Sequence, residues 1–105
     1  MQPEERTLEK TVCEAQLQIK NADGLHMRPA MQFVDTANRF DCEVSVSNDQ
    51  TTVDGKSIMQ MSMLAATCGT KLKVRAEGPG AQEAVEALRR LVEEKLFDEP
   101  PPGPD

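Results

Sequence analysis

Aromatic side chains are nearly absent. The 105-residue chain holds three Phe, no Trp and no Tyr. A core must therefore be built from Leu, Val, Ile, Met and Ala, and little is on hand for stacking bases on aromatic rings. Basic excess is absent too: the net charge is −6, whereas a nucleic-acid surface calls for a basic patch. No apolar run approaches the ~18–20 residues of a membrane-spanning helix. The first ten residues carry Glu4, Glu5 and Glu9 without an apolar stretch, so no export signal is expected. Cys13, Cys42 and Cys68 form no C-x-x-C pair, which predicts free thiols in a reducing, cytoplasmic setting. With one histidine and no Cys or His at ligand spacing, no metal site is expected. No G-x-S-x-G elbow is present for a serine nucleophile.

What is present is an alternation of two periods. The acids cluster at the ends: residues 11–97 are nearly neutral, with 12 acids and 10 bases. Residues 1–10 read as a flexible extension and residues 98–105 as a disordered, acidic, Pro-rich tail, leaving one domain over 11–97. Cys13, Ala15, Leu17 and Ile19 alternate with polar residues, as in a strand wetted on one face. Met27, Ala30, Met31, Val34, Ala37 and Asn38 follow helical spacing, with Phe33 beside the stripe, predicting a helix over about 27–38. Cys42, Val44 and Val46 mark a second strand, joined through Asn48-Asp49-Gln50 to Thr51-Thr52-Val53 as a hairpin. Ser57 is suited to cap a short helix over about 58–65, with Ile58, Met61, Leu64 and Ala65 able to face the core. Met59 and Met63 fit an adaptable contact surface or simply the core. Leu72, Val74 and Ala76 give another strand. Ala81, Ala84, Val85, Leu88, Leu91, Val92 and Leu96 trace an amphipathic helix over about 81–96. From Phe97 on, the Pro-rich run cannot continue it. Strands with one polar face call for an antiparallel sheet with helices packed on one side.

The only histidine, His26, sits in Asp23-Gly24-Leu25-His26-Met27-Arg28-Pro29-Ala30, where a strand pattern gives way to a helix. There it lies at a helix N-terminus, whose unpaired N–H groups and positive dipole end favour an anion. Arg28 adds a guanidinium fork suited to phosphate. Gly24 supplies an unusual backbone angle, and Pro29 is tolerated in a first turn. A nucleophilic imidazole, a guanidinium and a helix N-terminus together can accept and hold a phosphoryl group. The plain alternative is that His26 is a surface or capping residue.

Three segments resemble HPr, the histidine-containing phosphocarrier family of the bacterial phosphoenolpyruvate-dependent sugar phosphotransferase system. Gly24-Leu25-His26-Met27-Arg28-Pro29-Ala30 resembles its active-site signature, with Met27 where Ala is common. Asp54-Gly55-Lys56-Ser57-Ile58-Met59 resembles its regulatory-serine segment. Leu64-Ala65-Ala66 through Ala76-Glu77-Gly78-Pro79 and the final helix resemble its C-terminal half. The resemblance implies an α+β, two-layer open-faced sandwich: a four-stranded antiparallel sheet, order 1-4-2-3, covered on one face by two longer helices and one short one. It implies a carrier rather than a stand-alone enzyme, without cofactor or metal. His26 would be phosphorylated on Nδ1 by phospho-enzyme I and pass the group to an enzyme IIA component, with Arg28 steadying the phosphate. Ser57 would be the phosphorylation site of HPr kinase/phosphorylase, and Met27, Ile58, Met59 and Met61 would contact partner proteins. The protein would be a cytoplasmic monomer. The alternative function is a regulatory HPr-like module whose phosphorylation state selects partners in carbon or nitrogen control, without sugar transport. The long N-terminal extension, the acidic tail and the strand cysteines depart from the family pattern.

Overall fold

The alternating stretches do become strands, and the period-3.6 stretches helices. The computed structural model describes residues 11–64 and 66–98. The N-terminal extension over 1–10, Ala65, and the expected tail from residue 99 onward lie outside the described residues. In order come β1 (Val12–Gln18), α1 (Met27–Ala37), β2 (Glu43–Ser47), β3 (Thr52–Asp54), α2 (Ile58–Ser62), β4 (Lys71–Glu77) and α3 (Ala81–Arg89), then a π turn (Arg90–Glu94) and a short 3-10 turn (Leu96–Asp98).

The strands form one antiparallel sheet in the order β1-β4-β2-β3, the expected open-faced sandwich. Cys13 lies opposite Ala76, and Val44 opposite Ala76 from the other side. That register puts Leu17, Val44, Val46, Val53, Leu72, Val74 and Ala76 on one buried face, because successive side chains alternate across a strand. Lys71 and Lys73 point to the wet face. The hairpin closes as its residues suggest: Asn48 Oδ1 accepts from the N–H groups of Gln50 (2.8 Å) and Thr51 (2.9 Å), the Asx-type turn that favours Asn.

Three expectations are corrected. The buried side of α1 keeps Ala30, Val34 and Ala37 of the expected stripe but adds Pro29 and Phe33 and leaves out Asn38 and both methionines, Met27 and Met31 being 57% and 50% exposed. Packing the aromatic ring of Phe33 against the sheet rotates the helix so that both methionines turn outward. The short helix covers only 58–62, with Met61 and Leu64 buried and Ile58 exposed. The last helix is not one continuous α-helix to 96. The Lys95 N–H donates to Arg90 O (2.8 Å), an i→i+5 bond that widens the turn. Leu96, Phe97 and Asp98 then take positive φ (50°, 55°, 61°). Phe97, read as the residue at which the helix stops and the domain ends, is fully buried. The wider turn also lets Arg89 reach Glu94 (2.7 Å) as well as Glu86 (2.7 Å), with Arg90 on Glu86 too (3.2 Å). Hydrogen bonds from Arg89, then Arg90, hold the Glu86 carboxyl down at about 2.

Candidate functional site

β1 delivers the chain to the segment that presents His26, and that segment is pinned at both ends to residues 66–70. The Ile19 N–H donates to Thr70 O (2.9 Å), the Gly69 N–H to Ile19 O (2.7 Å), and the Leu25 N–H to Ala66 O (2.9 Å). Inside it, the fully buried Asn21 donates through Nδ2 to Gly24 O (2.7 Å), while the Gly24 N–H returns to Asn21 O (3.1 Å). Sequence reading placed Asn21 in an unremarkable loop. The signal for its role was the Asn-Ala-Asp-Gly run, since Asn side chains readily bond backbone two or three residues on.

Gly24 is required twice over. Its φ is +71°, and a Cβ there would stand 2.6 Å from Ala66 O and 2.8 Å from Thr67 Cα. Both contacts are backbone and cannot rotate away. Gly24→Ala is expected to destabilise by about 1–3 kcal/mol, roughly 4–8 °C in Tm per kcal/mol for a domain of this size. Thermal unfolding followed by circular dichroism checks this.

His26 is the N-cap of α1, with extended backbone (φ −77°, ψ −172°), and its carbonyl takes the first helical bond from the Ala30 N–H (3.0 Å). The ring does not cap the helix. His26, Met27 and Arg28 are all exposed, whereas Pro29 and Ala30 are buried. The first turn carries no acidic residue. An exposed imidazole, a guanidinium two residues on and the positive end of an 11-residue helix thus occupy one corner of the molecule. That corner favours an anion bonded to the ring.

Ser57 caps α2, its Oγ accepting from the Gln60 N–H (3.2 Å), as its residue type suggests. The approach to it is tightly built. A Cβ on Gly55 would fall 2.7 Å from Val44 Cγ1. The Lys56 ammonium donates to Phe40 O (2.6 Å), and the Asp54 N–H to Gln60 Oε1 (2.8 Å). The two helices meet along an open groove of about 600 Å³ lined by Met27, Met31, Val34, Asp35, Ile58, Met59 and Ser62. Of the four residues expected to contact partners, Met27, Ile58 and Met59 line it. Met61 is fully buried and takes no part. Met31, 50% exposed, was missed because its helical spacing put it in the core stripe, whereas Met63, 69% exposed, takes the contact-surface side of the two environments its spacing allowed.

Residues 13–94 match the model of the HPr component phosphorylation site of the phosphotransferase system. The chain belongs to the HPr family. It is 46% identical over 85 residues to phosphocarrier protein HPr of Pseudomonas aeruginosa, covering 80% of this chain and 93% of that one. HPr-like protein Crh of Halalkalibacterium halodurans is 40% identical over 82 residues, covering 78% and 98%. Among solved structures, an HPr of Thermoanaerobacter tengcongensis superposes with a TM-score of 0.80 at 41% identity, over 84% of this chain and 98% of that one. The fold and strand order of this HPr-family chain agree with those neighbours. Among the described residues no helix is long and apolar enough to cross a membrane.

Proposed function

We propose that His26 is the phosphoacceptor of a phosphocarrier: it takes a phosphoryl group from phospho-enzyme I and gives it to an enzyme IIA component. The observation that carries this is the placement of the single exposed imidazole at the acid-free N-terminus of α1, with Arg28 in the first turn. In the forward step the Nδ1 lone pair attacks phosphorus, an N–P bond forms and the phosphorus bond to the donor breaks. The second step reverses this toward the acceptor. The chain needs to hold phosphohistidine without over-stabilising it. The helix end and one exposed guanidinium suit that, each worth roughly 0.3–1 kcal/mol. The groove beside the site, with Met27, Ile58 and Met59 on its walls, supplies an adaptable apolar surface for both protein partners. No cofactor enters this chemistry. We take the working protein to be a cytoplasmic monomer, with its domain at 11–97 and extensions on either side.

The test is incubation with phosphoenolpyruvate and enzyme I, read by intact mass. An acid-labile gain of ~80 Da is the expected result. No gain beside a competent control HPr overturns the reading.

A regulatory role is supported by the Crh relatives and by Ser57, whose hydroxyl caps α2 at a half-buried position. A phosphate on that oxygen would bring about −1.5 to −2 charges to a helix N-terminus that can accept them. It would also set a negative patch beside the groove, slowing exchange with enzyme I. With ATP and HPr kinase/phosphorylase, an acid-stable gain of ~80 Da is expected, absent from Ser57→Ala. A gain persisting in Ser57→Ala, or none in the unaltered chain, removes Ser57 from this role.

A further inference from the structure

We propose that the outer edge of β1 is a docking site for an extended peptide segment of a partner protein, which adds to the sheet as a fifth strand. Neither the site nor its occupant depends on the phosphocarrier reading.

Backbone direction alternates along an antiparallel strand. The odd-numbered residues turn theirs toward β4: at the two ends of β1 the Thr11 carbonyl accepts from the Gly78 N–H (2.8 Å), and the Ile19 N–H donates to Thr70 O (2.9 Å). The even-numbered residues turn theirs outward, and the Gln18 N–H accordingly leaves the sheet to meet Glu93 Oε2 (2.9 Å). Val12, Glu14 and Gln16 present the same outward N–H and C=O groups, which find no partner among the described residues. Paired donors and acceptors recurring every ~6.8 Å fit one ligand chemistry, the backbone of another extended chain. Glu93 already stands where a carbonyl of that chain would accept. It closes the edge at Gln18 and leaves residues 12–16 open for pairing.

The two edges of the sheet differ. β3 is three residues long, and the Asp54 N–H at its end is taken by Gln60 Oε1 from α2 (2.8 Å). Short, covered edges of that kind resist further pairing. β1 is seven residues long and keeps an unbroken register with β4. It has no Pro, no Lys and no bulge, the usual guards of an edge. Its one charged side chain, Glu14, is drawn back over β4 by Arg75 (3.3 Å).

The side chains along β1 set the rest of the occupant's chemistry. On the helix-facing side Leu17 and Ile19 are buried, whereas Cys13 and Ala15 are only half-buried. Those two open on a cavity of about 760 Å³ beside α3, lined also by Val85, Glu86 and Arg89. An added strand would lay apolar side chains over Cys13 and Ala15. On the wet face, beside Glu14 and on a chain of net charge −6, it would carry polar or cationic ones. The groove between α1 and α2 lies toward β3, at the other edge of the sheet, so the two surfaces do not compete.

The test uses the full chain and a capped probe peptide of alternating Val and Lys, matched to β1 at seven residues, with amide hydrogen exchange read by NMR. With the peptide at about ten times its Kd, the Glu14 and Gln16 amides are expected to exchange roughly tenfold more slowly. Those of Cys13, Ala15 and Leu17, already turned toward β4, are expected to keep their rates. Methylating the Lys amide nitrogens of the peptide removes the donors that face β1 and is expected to abolish the effect; methylating the Val nitrogens, which face away, is expected to spare it. No slowing at Glu14 and Gln16 with ~5 mM peptide, or slowing that survives methylation of the Lys nitrogens, overturns the proposal. So does slowing present without peptide: where it grows with protein concentration a second copy holds the edge, and where it does not the segment before β1 does.

Discussion

His26→Ala is expected to abolish phosphoryl acceptance and to leave the fold standing. The two halves of this result have separate physical causes. The ring is the only imidazole in the chain, so its removal takes away the nitrogen on which the proposed N–P bond would form. The mass gain with phosphoenolpyruvate and enzyme I should fall to zero rather than to a fraction. The start of α1 does not depend on a cap bond from the ring. His26 caps α1 through its carbonyl, which alanine retains, the ring makes no cap bond, and the residue is exposed. Surface replacements of that kind stay within about 0.5 kcal/mol, so the denaturant midpoint should barely move. Arg28→Ala makes the contrast. It keeps the nucleophile and loses one exposed charge, so transfer should slow only about two- to fivefold, with a weaker salt dependence. A residual acid-labile gain in His26→Ala would place the phosphoryl group on another residue and end the assignment.

The local geometry around His26 and Ser57 was legible in the sequence because each part depends on a residue type with few alternatives. Gly24 was singled out for an unusual backbone angle, and it has φ +71° against a backbone wall. Ser57 was singled out as a cap and is one. The strands were legible for a similar reason: a period of two assigns every side chain to a face at once. Cys13 accordingly faces the core side, half-buried, and Cys42 is fully buried. The thiol of Cys42 is pushed up chiefly by that burial, as suits a small core residue rather than a reactive one. The failures came where one residue type serves two environments. Methionines at 27, 31, 59 and 63 are exposed and Met61 is buried; nothing in their chemistry separates the two cases, and only the packing of Phe33 decides the rotation of α1. The π turn was invisible too, since its i→i+5 bond leaves the apolar spacing of Leu88, Leu91 and Val92 unchanged.

Phe97→Ala should be the most damaging single truncation near the C-terminus, at about 3–5 kcal/mol by the usual cost of removing a buried ring. Leu96, Phe97 and Asp98 are consecutive non-glycine residues in the left-handed region, and none of them adopts that conformation by preference. The turn persists because it is the path by which the ring of Phe97 enters the core, where it is fully enclosed; burying such a side chain stabilises by about 1.5–3 kcal/mol. Without the ring the turn can unwind and recover its strain, so the loss should sit toward 3 kcal/mol. Asp98→Gly separates the two contributions: it keeps the ring and relieves one strained residue, so it should be neutral or stabilising by up to ~1 kcal/mol. Denaturant midpoints of the two variants check this, and a midpoint lowered by Asp98→Gly as much as by Phe97→Ala would show that the left-handed turn is not strained. Phe97 also bears on the site, because the turns it anchors hold Glu93 against the Gln18 N–H. Phe97→Ala should therefore loosen the segment that presents His26, and phosphoryl acceptance should slow at temperatures where the variant is still folded.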